Sequence, residues 1–230
     1  MEKVTNSSGK IETPYEKSNN KVKIALIFAA VIVAYIIVNF IIGGKFLTFG
    51  NINLLITHSV TACFLAWAMS VTFTLQITDF SFGAIIILAA NAAGYGGLAF
   101  GYPGLFISAI LVGMLLMFVN FNIYLRTGIP SWIAGLGLAL IYEAIGAYIS
   151  KVRLDRGLQM VDLGNVCRDL LTWPINLILI VIGVIIAYFI FNRTNIGLDI
   201  QAVGSNKDVA RMMGIDIKRT MMIAAIICGI

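Results

Sequence analysis

Six long apolar runs, separated by short polar intervals, constrain this chain more than anything else in it. They are Ile24 to Ile42, Ile52 to Leu75, Gly83 to Phe100, Leu105 to Leu125, Trp132 to Ile149 and Ile175 to Phe191. Each is close to the ~20 residues that an α-helix needs to cross a bilayer core of ~30 Å. Inside that layer the backbone must satisfy its own hydrogen bonds, and runs without strict alternation do so as helices. Only 12% of the residues are charged and 60% are hydrophobic, whereas a soluble domain carries about a quarter charged. The sequence predicts an all-α, polytopic transmembrane helix bundle with six full spans. Met221 to Ile230 begins a seventh and ends short of a crossing.

The apolar runs also set the domain organisation. Residues 1–23 are polar and read as a cytosolic disordered tail; residues 24–230 form the transmembrane domain, with a long polar loop at 192–219. The first run has no small-residue cleavage site at its end, where Gly43-Gly44-Lys45-Phe46 stands, so it reads as an uncleaved span rather than a signal peptide. The net charge of +5 is a topology signal rather than evidence for a nucleic-acid partner. With the N-terminus inside and the spans alternating, eleven basic residues fall on the cytosolic side and five outside. This split satisfies the positive-inside rule, predicts a multi-pass protein of the cell membrane, and puts the 192–219 loop in the cytosol.

No catalytic chemistry is legible. Cys63, Cys167 and Cys228 are isolated and His58 has no nearby ligand partner, so no metal site and no disulfide framework is expected. No cofactor is expected. There is no G-x-x-x-x-G-K-[ST] sequence. Any ATP hydrolysis belongs to another chain, and the protein is not itself an enzyme.

The 192–219 loop is too long for a simple connection. Within it Asp199 to Met213 can form short helices. Gly204-Ser205-Asn206 supplies a break, Ser205 or Asn206 a cap, and Gly214 a stop. Gly197, Ala202, Gly204, Asn206, Ala210, Gly214 and Ile215 stand at the spacing G-R-x-x-x-A-x-G-x-N-x-x-A-A-x-x-x-G-I. In this the chain resembles the permease subunits of ABC importers for ribose, xylose, arabinose and related solutes, whose loop of this pattern couples to the ATPase. Leu198 departs from the usual arginine and Val209 from the first of the paired alanines.

Two further segments carry the resemblance in the same order. Gln76 to Gly83 is similar to the family's G-G-I-D-L-S-V-G-S, matching at Asp79, Ser81 and Gly83 and departing at the glycine pair. Read from the residues alone, Asp79 and Ser81 either cap the third span or, with Gln76 and Thr78, line a passage. Arg126 to Gly137 is similar to a basic turn followed by I-P-P-F-I-x-T-L-G, matching at Ile129, Pro130, Ile133, Leu136 and Gly137. Pro130 suits a helix start. Asn120 and Glu143 are polar residues inside spans; such residues face protein or water, and both are candidates to line the passage. Glu143 either pairs across the bundle or lines the path.

The resemblance implies an import permease for a sugar or sugar-like solute. It would work with a cytosolic ABC ATPase, a second permease subunit (the same chain or another) and an external solute-binding protein, in contact with membrane lipid. Family members have about ten spans, so the chain is expected to be C-terminally truncated. The alternatives are a secondary transporter or channel-like protein, or a degenerate, non-transporting permease fragment.

Overall fold

A computed structural model describes residues 14–41, 43–44, 48–155 and 173–230. Residues 1–13, Lys45, Cys167 and most of the expected outer connection (156–172) lie outside the described residues. Eight helices are described: α1 Pro14–Ile41, α2 Phe49–Thr74, α3 Phe82–Thr127, α4 Ser131–Leu154, α5 Ile175–Arg193, α6 Asn195–Ser205, α7 Lys207–Met212 and α8 Ile217–Gly229. Four of them, α2, α3, α4 and α5, are long and apolar enough to cross a membrane, and Ala29–Ile41 of α1 is a shorter apolar stretch. No strand occurs among the described residues.

The chain divides into two units, Met1–Leu55 and Ile56–Ile230. The first holds α1, which corrects one boundary: the helix begins at Pro14, so residues 14–23, read as disordered tail, are helical. The first unit also takes in the first residues of α2; the second, from Ile56 on, is the unit described below.

At 46 residues α3 is twice the length of a span, and it folds back on itself. In a straight helix Gly96 and Ser108 would be ~18 Å apart at 1.5 Å per residue. Here a Cβ on Gly96 would collide with the Ser108 hydroxyl and with the Gly104 carbonyl. The reversal is at Gly101, whose φ of 67° and ψ of −147° a side chain would resist. Tyr102 to Gly104, expected as the turn, are already the first turn of the second arm, where Pro103 lacks only an N–H that would be unpaired. Phe82 begins one arm and Thr127 ends the other, so both lie at the same end of the bundle.

The remaining helices alternate. α4 starts four residues after Thr127. The start of α5 meets the early part of α2, where Asn176 Nδ2 donates to the Thr57 hydroxyl at 3.0 Å. The far end of α5 turns into α6 through Thr194, which accepts from Gly197 N at 3.2 Å. α8 then runs back along α3, where Gly113 and Gly229 lie backbone to backbone. Small residues let membrane helices approach this closely, and dispersion then takes the place of the hydrophobic effect. The apolar core of this unit includes Val71, Leu75, Phe82, Met117, Phe121, Ile200, Val203, Met221 and Ala224. Most other apolar side chains face outward, as along α5, where only Asn176 and Gly183 are buried. Arg153, expected in the outer connection, instead lies buried in the last turn of α4, its guanidinium 5.0 Å from the Tyr95 ring centroid.

Candidate functional site

Two features meet at the end of the bundle shared by the end of α2, the start of α4 and the α6–α7 segment. The first is the connection 76–81. α2 stops because Gln76 adopts a φ of 58°, with Gln76 N donating to Phe73 O and Ile77 N to Thr72 O, both at 2.9 Å. Glycine normally fills this left-handed position at a helix C-terminus. Gln76 stands where the resemblance would have a glycine. Its side chain accounts for its tolerance there: Nε2 donates to the Gly204 carbonyl at 2.9 Å.

From Gln76 the connection runs into the helix packing. Thr78 N donates to the Ser131 hydroxyl at 3.1 Å, at the first residue of α4. Asp79 is buried, and both of its carboxylate oxygens are held by uncharged donors. Oδ1 accepts from Ser81 N at 2.8 Å and Oδ2 from Asn120 Nδ2 at 3.0 Å. Asn120 Nδ2 also donates to the Ser81 hydroxyl, and its Oδ1 accepts from the Tyr142 hydroxyl at 2.7 Å. A flipped amide would set an oxygen against the Asp79 carboxyl and lose the acceptor of the Tyr142 hydroxyl, so these two partners together orient Asn120. Gly135 makes room for Asp79: a Cβ there would lie 2.5 Å from Oδ1. Irregular backbone at membrane depth is tolerated where protein buries it, and this cluster does so.

This geometry sorts the expected pathway residues. Asp79, Ser81 and Asn120 come together, but they are sealed from solvent, at 5%, 0% and 4% exposure. Thr78 is half-buried; Gln76 is exposed and turned to Gly204. Ser81 occupies the N-cap position of α3, yet its side chain makes no cap bond because Asn120 takes it. The capping reading of Ser81 is therefore corrected. Glu143 is exposed, about 100° round α4 from the buried Tyr142, and α4 runs to Leu154, so Glu143 is halfway along it. Pro130 is the N-cap of α4. Gly83 and Gly137 have open space where a Cβ would go. Tyr142 and Gly135 were missed by sequence reasoning. Their signal was Gly135 and Tyr142 recurring on the same α4 face as Leu138 and Ala139.

The second feature is the α6–α7 segment, two short helices broken where expected. Asn206 is the cap, its Oδ1 accepting from Asp208 N at 2.9 Å and Val209 N at 3.2 Å. Gly214, at a φ of 85°, ends the segment, and its N–H donates to Arg211 O at 3.0 Å. Burial corrects one part of the expectation. Ala210 is 1% exposed and packs inward, and Gly204 lies against the Thr74 carbonyl. Gly197 sits in the α5–α6 corner against the carbonyls of Ile190 and Phe191. Ala202 and Ile215 are half-buried, and Asn206 and Gly214 are exposed. The small residues therefore fit this chain to itself. What it presents outward is Leu198 at 59%, Val209 at 47%, Met212 at 80% and Met213 at 73% exposure. Among the described residues no cluster of His, Cys, Asp or Glu could hold a metal ion.

The profile of the branched-chain amino acid transport system / permease component family matches residues 51–230. The D-allose transport system permease protein AlsC of Escherichia coli (strain K12) is 28% identical over 187 residues, 80% of this chain and 57% of that protein. The fructose import permease protein FrcC of Rhizobium meliloti is 22% identical over 204 residues, 83% of this chain and 57% of that protein. The autoinducer 2 import system permease protein LsrD of Photorhabdus luminescens is 28% identical over 162 residues, 66% of this chain and 48% of that protein. The chain thus spans about half the length of these relatives. No solved structure matches it.

Proposed function

The chain belongs to the branched-chain amino acid transport system / permease component family, and on that premise we propose that it is the membrane-spanning subunit of an ATP-binding-cassette importer for a sugar-like small solute. The relatives named for allose, fructose and autoinducer 2 favour a small polyhydroxylated solute over an amino acid. In this reading α1, α2, the two arms of α3, α4 and α5 make six crossings and α8 begins a seventh. The N-terminus and the α6–α7 segment are cytosolic. The segment docks on a separate ATPase, which supplies the hydrolysis, and a second permease subunit and an external binding protein complete the importer.

The observation that carries this reading is the bond from Gln76 to Gly204. The segment proposed to meet the ATPase is fastened to the 76–81 connection. That connection is in turn fixed to α4 through Ser131 and to the second arm of α3 through Asn120. Displacement of α6–α7 would therefore be passed to two spans at once, rather than absorbed in a slack loop. Alternating access requires such a two-state element, biased by both the nucleotide and the solute.

Glu143 supplies the other end of the coupling. It is exposed ~18 Å along α4, at 1.5 Å per residue. An acidic residue facing lipid at that depth costs about 2.5–3.5 kcal/mol on insertion scales. In the assembled importer it would face the solute passage, where a carboxylate accepts hydrogen bonds from sugar hydroxyls. The test is uptake of labelled allose, fructose and ribose by cells expressing the full-length protein with its ATPase and binding protein. Import that persists when the ATPase is inactivated would exclude this reading.

A further inference from the structure

A second polar feature, on the inner side of the α6–α7 segment, is left unused by the docking just proposed. A cavity of about 240 Å³ opens between the end of α3, α7 and the start of α8. Its lining is divided by chemistry. Leu125, Ile217 and Met221 are apolar; Tyr124 is amphipathic; Lys207 and Arg211 are cationic. The two cations are four residues apart on α7, so they share a face and converge on the same space. Neither has an ion-pair partner among the described residues.

On the topology proposed above, the cavity lies where spans leave the membrane. The second arm of α3, residues 102–127, is 26 residues and ~39 Å long, more than the ~30 Å hydrocarbon core, so Tyr124 and Leu125 fall near its edge. Ile217, the first residue of α8, lines the same cavity as Tyr124 and Leu125. The site therefore has cations above apolar walls at the interface, a distribution that matches a phospholipid, with charge outward and chains inward. About 240 Å³ is less than one turn of an α-helix ~10–12 Å across, so a docked helix does not fit.

We propose that this groove holds the head group of an anionic phospholipid, its phosphodiester between Lys207 and Arg211 and its glycerol end against Leu125, Ile217 and Met221. The site makes the position of α7 sensitive to the lipid bound beneath it. It stands whether or not the chain couples to an ATPase.

The test is native mass spectrometry of the full chain titrated with phosphatidylglycerol or with phosphatidylcholine of the same chains. The wild-type chain binds phosphatidylglycerol the more tightly. The double variant Lys207→Gln/Arg211→Gln is expected to lose that affinity roughly tenfold or more, at about one charge contact per cation. Lys218→Gln/Arg219→Gln removes the same charge from the exposed start of α8 and keeps the binding. Arg211→Lys keeps the charge and most of the affinity, which separates loss of the site from loss of the fold. Equal binding of the two lipids, or equal loss in both double variants, would overturn the proposal. So would displacement by millimolar inorganic phosphate, which would make this a free-phosphate site. A Lys207→Gln/Arg211→Gln chain that keeps phosphatidylglycerol but loses the ATPase would assign the cations to a protein carboxylate instead.

Discussion

The side-chain amide of Gln76 bonds the carbonyl of Gly204 across 128 positions of sequence, and the backbone of Gln76 is left-handed in doing so. A non-glycine residue in this conformation costs about 1–2 kcal/mol, and the bond returns about 0.5–1.5 kcal/mol. Substitutions at Gln76 separate the two. Gln76→Ala keeps the strain and loses the bond, and is expected to destabilise the chain by about 1 kcal/mol. Gln76→Gly loses both and is expected to be nearly neutral. Thermal melts of the two variants in detergent check the order. An Ala variant as stable as the wild type would mean that the bond contributes nothing, and one as stable as the Gly variant that the left-handed backbone costs nothing.

The approach of Gly135 to Asp79 gives a second contrast. Gly135→Ala sets a methyl 2.5 Å from a buried carboxylate oxygen. Overpacking of this kind costs about 1–3 kcal/mol. Gly137→Ala, two residues on, meets open space and gains helix propensity of up to about 1 kcal/mol. The expected result is a large fall in stability for the first and no change or a small gain for the second. Both are read from urea or thermal unfolding of the purified chain.

Asn120 is expected to be the most sensitive position of the buried cluster. Asn120→Ala removes the donor to Asp79 Oδ2 and the 2.7 Å acceptor of the Tyr142 hydroxyl together, leaving Ser81 N on Oδ1 and the Leu116 carbonyl at 3.4 Å from the hydroxyl; each buried group left short of a partner costs about 1–3 kcal/mol. Tyr142→Phe removes one donor and leaves Asn120 Oδ1 unpaired, for about 1–3 kcal/mol. The ranking Asn120→Ala, then Tyr142→Phe, is checked by the yield of monodisperse protein and its melting temperature. The reverse ranking would mean that Asp79 is not held by Asn120.

What was legible in the sequence followed from chemistry that is local. The apolar runs announced the helices, and Asn206 and Gly214 announced the ends of α7, because caps and span lengths are properties of consecutive residues. The resemblance fixed the order of the segments. What was not legible depended on long-range packing. Asp79 and Ser81 looked like a cap or a passage, because their partner Asn120 is about forty positions away, a separation of 41 to Asp79. Ala210 looked like an interface residue, since a small residue that fits a partner and one that fits its own chain are identical in sequence. Gly137 was singled out by pattern, whereas the residue that needs to be glycine is Gly135, and only the position of Asp79 reveals it.

Topology is tested by labelling. In a cysteine-free background, Ser205→Cys on α6 is expected to react with an impermeant thiol reagent only from the cytosolic face, and Asp155→Cys beyond α4 only from outside. Ser205 and Asp155 belong to opposite ends of an alternating set of helices, so reaction of both from one face would break the alternation.

The last prediction separates the two faces of the α6–α7 segment. Ala210 is buried, so Ala210→Glu puts a charge into the core of the chain itself. It is expected to prevent folding rather than to detach a partner, because an isolated buried charge costs several kcal/mol. Met212 and Met213, the last residue of α7 and its C-cap, are exposed at 80% and 73%. Flexible, polarisable methionines suit an interface that is made and broken in each cycle. Met212→Glu/Met213→Glu is expected to leave the melting temperature within a degree or two, since surface changes stay within about 0.5 kcal/mol. It is expected to weaken ATPase binding tenfold or more, as loss of about 1.4 kcal/mol from a transient interface does. Leu198→Arg, at a position 59% exposed, should fold normally. The measurement is co-purification of the ATPase with each full-length variant, together with solute-stimulated hydrolysis. If Met212→Glu/Met213→Glu retains the ATPase at wild-type affinity, the outward face of α7 is not the docking surface. If Ala210→Glu folds as well as the wild type, the inward packing of Ala210 is wrong.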